Sequence, residues 1–97
     1  MKKTVVTFED AVNAVAELII EDLKEDEWDS LKWAIKCRYI DNFKEYLRDL
    51  FEYEITGAYL DDIDACLILE NPDNDWYVYP YGEFSRAVRK QVKAMGY

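Results

Sequence analysis

The sequence predicts an α+β fold: three N-terminal helices, a β-hairpin and a C-terminal helix in one compact domain spanning residues 1–97. Three observations predict it. Apolar residues recur at helical spacing through the first half of the chain. Two short runs rich in strand-favouring residues then flank a turn-forming segment. Helical spacing returns in the last fifteen or so residues.

The first helix is expected to start at Thr7, which can cap it, with Asp10 three residues later completing a weak capping box. Phe8, Val12, Val15, Ile19 and Leu23 fall on one face, and Asp10, Glu17 and Glu21 on the opposite one. The helix ends near Lys24. A second helix is expected over Glu27 to Ile40, with Trp28, Leu31, Ile35 and Tyr39 in a stripe and Trp33 and Cys37 pointing away from it. A third begins after Asp41 or Asn42, with Glu45 as a capping partner and Gly57 as its stop. Phe43, Tyr46, Leu47, Leu50 and Phe51 form its apolar face, and Asp41, Glu45, Asp49 and Glu52 cluster opposite.

The period then changes. Ala65–Leu69 and Trp76–Tyr79 read as strands, and the segment from Glu70 to Asp75, with Asn71-Pro72-Asp73-Asn74 inside it, reads as the turn between them. Ala58 to Asp64 is open between a helical turn and a third strand. In the second strand Trp76 and Val78 face one side, and Tyr77, Tyr79 and Tyr81 the other. One side must pack on helices; the other is an exposed tyrosine row or a second buried face. The last helix runs from about Glu83 to Met95, with Phe84, Val88, Val92 and Met95 on one face and Arg86, Arg89, Lys90 and Lys93 on the other.

Composition narrows the chemistry. The chain has no histidine, which removes Ser-His-Asp and Cys-His nucleophile activation and histidine metal ligation. No Gly-rich phosphate-binding pattern is present. Asp73-Asn74-Asp75 lacks the glycine and the later Glu of a calcium loop, and Asp61, Asp62 and Asp64 are a generic acidic cluster. The expectation is a protein that is not an enzyme and carries no cofactor or metal. Cys37 and Cys66 lack a Cys-x-x-Cys spacing and read as two reduced, buried thiols. No apolar run is long enough to span a bilayer, and Glu9 and Asp10 interrupt the apolar start, so a cytoplasmic protein is expected.

Charge carries most of the functional signal. The net charge is −9, divided into −13 over residues 1–83 and +4 over the last fourteen. Glu17, Glu21 and Glu25 repeat every four residues, as do Asp41, Glu45 and Asp49, and like charges at that spacing weaken a helix by roughly 0.2–0.5 kcal/mol per pair. Glu21, Asp22, Glu25, Asp26, Glu27 and Asp29 fall within nine residues. Direct binding of nucleic acid or of an anionic membrane is disfavoured by this field, and a basic partner is favoured. Aromatic side chains off the main stripes, Trp33, Tyr77 and Tyr79, are candidate anchors of a protein contact.

This combination of size, charge and layout resembles the small acidic inhibitor proteins of phages and mobile elements, the anti-CRISPR proteins and antirestriction DNA mimics. The resemblance rests on Glu17, Glu21, Asp22, Glu25, Asp26, Glu27, Asp29, Asp41, Glu45, Asp49, Asp61, Asp62 and Asp64, and the basic last helix departs from it. It implies competition with nucleic acid for a basic groove on a host defence enzyme. An immunity protein or antitoxin that neutralises a basic nuclease shares the same electrostatics. A structural or assembly subunit, or a homodimer formed through the basic C-terminal helix, would use the division of charge instead.

Overall fold

The computed structural model describes residues 2–61, 66–70 and 76–97. Its elements are β1 (Lys3–Thr4), α1 (Phe8–Glu25), α2 (Leu31–Lys36), α3 (Phe43–Tyr53), β2 (Ile55–Thr56), β3 (Ala58–Asp61), β4 (Cys66–Glu70), β5 (Trp76–Pro80) and α4 (Tyr81–Ala94). The fold is α+β, as the sequence predicts. The hairpin is present as β4 and β5, and the open segment before it forms a third strand, giving an antiparallel sheet in the order β3-β4-β5. The expected turn at 71–75 and the acids Asp62 and Asp64 lie outside the described residues.

The first helix forms as its capping box requires: the Thr7 hydroxyl accepts from the Asp10 amide, and the Asp10 carboxylate accepts from the Thr7 amide. Its apolar surface is wider than the five-residue stripe, because Ala11, Ala14, Ala16, Leu18 and Ile20 are buried too. α1 is thus the central helix. It packs most extensively on α4, and its exposed strip is largely acidic: Glu9, Asp10, Glu17, Glu21 and Glu25, with Asn13 and Lys24 among them.

The second helix is much shorter than Glu27–Ile40. Ser30 caps it through its hydroxyl, and it ends at Lys36. The stripe that suggested a longer helix has another origin. After α1, Glu27 takes a left-handed conformation (φ 61°), and the amides of Trp28 and Glu27 reach back to the carbonyls of Leu23 and Lys24. After α2, Arg38 does the same (φ 62°), with Tyr39 bonded to Ala34 and Arg38 to Ile35. These are Schellman ends. They bring Trp28 and Tyr39 together with ring centroids 5.7 Å apart, though no helix joins them. α4 ends in the same way with a glycine, Gly96, at the left-handed position.

The third helix is capped by Asn42, whose side chain accepts from the Glu45 amide. It stops at Tyr53, short of Gly57. Gly57 instead joins the two sheets. The chain before it, β2, pairs in parallel with β1, a strand pair of two residues each that the sequence reading did not contain. Gly57 has φ 93°, and a Cβ there would lie 2.3 Å from the Val5 carbonyl oxygen, so only glycine fits where the strands cross.

The inner face of the three-stranded sheet carries Ala58, Leu60, Leu67 and Leu69, all buried. Tyr77 and Tyr79 pair with Leu69 and Leu67 and share that face. Tyr79 packs on Phe8 at 4.5 Å, and Phe84 contacts both Phe8 and Phe51. The open face is therefore the one bearing Tyr59, Ile68 and Val78, aligned across the three strands, and not a tyrosine row. Tyr81 starts α4, and Met95 is exposed at its end. Neither cysteine is in a disulfide; Cys66 is buried, as expected, but Cys37, at the C-terminal cap of α2, is exposed. Among the described residues no helix is long and apolar enough to cross a membrane.

Candidate functional site

Two charged regions stand out. The first is a seam between α1 and α3. Asp22, half-buried on α1, accepts a hydrogen bond from the Tyr46 hydroxyl of α3. One turn on, Asp26 accepts one from Tyr39. Beside these bonds, a groove is lined by Leu18, Glu21, Asp22, Leu50 and Glu54. Position 54 is one turn past Leu50, so its carboxylate joins those of Glu21 and Asp22, although no charge repeat in the sequence points to it.

The electrostatics of the seam follow from this geometry. Burial, then the hydrogen bond to Asp22 and the charge of that carboxylate, hold the Tyr46 hydroxyl well above its usual range. Tyr39 is pushed up to about 12, first by its bond to Asp26, with smaller contributions from burial and from the charges of Asp26, Asp22 and Glu25. Both phenols are neutral donors at physiological pH. Each fixes a carboxylate that would otherwise swing freely.

The remaining predicted residues fall around this seam or away from it. Glu17 forms an ion pair with Lys3 at 3.0 Å, which ties α1 to β1. Glu21 and Glu25 are exposed on the acidic strip, and Glu27 and Asp29 are exposed on the turn that follows α1. Glu45 and Asp49 lie on the exposed side of α3, where Glu45 meets Arg48 at 3.9 Å. Trp33 is 52% exposed on α2, with the Lys36 ammonium 4.7 Å from its ring centre. Tyr77 is 48% exposed near one end of β5, whereas Tyr79 is held against Phe8. The fold brings Glu21, Asp22, Glu25 and Asp26 together at the C-terminal end of α1, with Asp26 as its cap; it sets Tyr77 and Tyr79 on the sheet.

The second region is a groove of about 500 Å³ between α2 and α4. Leu31, Ile35 and Val92 form its floor, and Lys32, Arg89 and Lys93 its cationic rim, with Ser30 and Tyr97 completing the wall. No side-chain carboxylate among the described residues lines it. Among the described residues the cations of α4 make no ion pair. Arg89 instead lies over the Phe43 ring at 4.5 Å and donates from Nε to the Ser85 hydroxyl at 3.4 Å.

No family model matches the sequence, no curated protein matches it, and no solved structure matches its fold.

Proposed function

We propose that this chain is a non-catalytic inhibitor or interaction protein that sets its acidic α1–α3 side against the basic, nucleic-acid-binding surface of a host defence protein such as a CRISPR effector or a restriction enzyme. The observation that carries this reading is the pair of tyrosine-anchored carboxylates, Asp22 and Asp26, flanked by the exposed Glu21 and Glu25. Carboxylates one helical turn apart stand about 6 Å apart along the axis, on the scale of a phosphate backbone. Anchoring two of them lowers the conformational entropy lost when a partner binds. The exposed Trp33 and Tyr77 supply aromatic contact surface of the kind that anchors interfaces.

The test begins with capture of the partner from host lysate and its purification. Its affinity is then measured for the wild type and for a variant carrying Glu21→Lys, Glu25→Lys, Glu45→Lys and Asp49→Lys. These four positions are exposed, so native circular dichroism should persist. Binding is expected to fall at least about a hundredfold and to weaken with salt in the wild type. Nucleic acid should compete with the wild type for the captured protein. Equal affinity of the two proteins would sink the proposal.

A further inference from the structure

The α2–α4 groove shares no lining residue with the groove of the acidic seam. On a chain of net charge −9, it gathers Lys32, Arg89 and Lys93 over an apolar floor, with no side-chain carboxylate among the described residues of its lining. Arg89 is already oriented. Its guanidinium carbon lies 4.5 Å from the Phe43 ring centre and its Nε donates to Ser85, while its terminal nitrogens have no partner among the described residues. A guanidinium held in this way offers a fork matched to a carboxylate or phosphate, with little rotamer entropy left to lose. The floor of Leu31, Ile35 and Val92 gives no hydrogen bonds and suits a hydrocarbon body. A volume of about 500 Å³ lies within the range of small-molecule sites.

We propose that this groove is a binding site for a small organic anion, a carboxylate or phosphate monoester carried on an apolar body of aryl or short-alkyl size. The charge balance selects a small ligand over a large one. Among the described residues, the charged side chains that line the groove, and so lie nearest a small anion held in it, are Lys32, Arg89 and Lys93; exposed charges farther off are screened over roughly 8 Å at physiological salt. A polyanion or a second copy of the chain would also meet the field of the other acidic residues, and a second copy would bring −9 against −9. The anionic group pairs with Arg89 and the two lysines, and the apolar body covers Leu31, Ile35 and Val92 beside Tyr97.

The experiment is an amide-shift titration of the full chain with phenyl phosphate and, separately, 4-phenylbutyrate, which distinguishes phosphate from carboxylate. Inorganic phosphate and benzyl alcohol serve as half-ligand controls. The expected result is a saturable shift confined to residues 30–36 and 89–97, with a Kd of about 1 mM or tighter for at least one of the two ligands. Each control should bind at least about tenfold more weakly, since each makes only half of the contacts. Arg89→Gln should weaken binding about tenfold, and Arg89→Lys should not restore it. Lys93→Gln, at an exposed position that leaves the Phe43 contact intact, should weaken it several-fold. Affinity unchanged in both Arg89→Gln and Lys93→Gln would overturn the proposal, as would inorganic phosphate binding as tightly as phenyl phosphate. Shifts that grow with protein concentration without ligand, and that include the α1 acids, would assign the groove to a second copy and overturn it equally.

Discussion

The α1–α3 seam and the α2–α4 groove are both charged, and they use charge in opposite ways. In the seam, acids face tyrosine hydroxyls, so Asp22 and Asp26 are partnered by hydrogen-bond donors rather than by countercharges. In the groove, cations stand beside aliphatic side chains and an aromatic ring, with no acidic side chain among the described residues that line it. A residue count treats the two as cancelling parts of a net charge. The structure separates them, and the seam joins α1 to α3 through a side-chain hydrogen bond, whereas the side-chain hydrogen bonds of Arg89 and Ser30 in the groove stay within α4 and at the start of α2.

The comparison breaks most completely when the frame common to both regions fails. Gly57→Ala places a Cβ against the Val5 carbonyl at a left-handed position. It is expected to cost about 3 kcal/mol or more, read from urea unfolding. Next is the seam itself. Asp22→Ala leaves the half-buried Tyr46 hydroxyl without its acceptor, for a loss of about 1–3 kcal/mol, while Tyr46→Phe removes the donor and should cost nearer 1 kcal/mol.

The same bonds set a pH dependence. Above the ordinary tyrosine pKa of about 10, the unfolded chain releases phenolic protons that the folded chain keeps. Stability from Tyr46 and Tyr39 is therefore fully present below about pH 10 and declines as pH rises through the folded values, about 12 for Tyr39. Tyr46, the more buried, should account for most of the slope, and urea midpoints should flatten with pH in Tyr46→Phe. A slope unchanged in that variant would remove the seam as its cause.

Smaller effects are expected at the helix ends. Glu27→Gly and Arg38→Gly relieve a left-handed side chain at the cost of a more flexible unfolded chain, for a net gain of up to about 1 kcal/mol each. The smallest belongs to the basic helix outside the groove. Arg86→Gln should move stability by less than about 0.5 kcal/mol, because Arg86 is exposed and makes no ion pair among the described residues.

Helices with their own local signals were legible. Thr7 with Asp10, and Asn42 before Phe43, announce α1 and α3 in four residues each. The length of α2 was not legible, because Trp28 and Tyr39 mimic a helical stripe while being placed by two reversed helix ends, neither of which carries a glycine. The β1–β2 pair was hidden for another reason: two residues per strand show no periodicity, and the partners are distant in sequence. At the seam, the acids could be read from spacing, but Tyr46 counted only as an apolar-face residue and Glu54 lay beyond the expected pattern. In the groove, Arg89 read as part of a solvated basic face. Its place over Phe43 depends on how α3 meets α4, which no local pattern encodes.

The pairing of Lys3 with Ile55 also bears on how the molecule is assembled in time. It joins positions more than fifty residues apart and encloses all of α1, α2 and α3, whereas the hairpin strands are near neighbours along the chain. Closing so large a loop for two residues of ladder is entropically unrewarding until the helices inside it have docked. The order this implies is hairpin and helices early, N-terminal strand late. The reverse order on opening makes the amides of Lys3 and Val5 the first of the sheet amides to exchange with solvent.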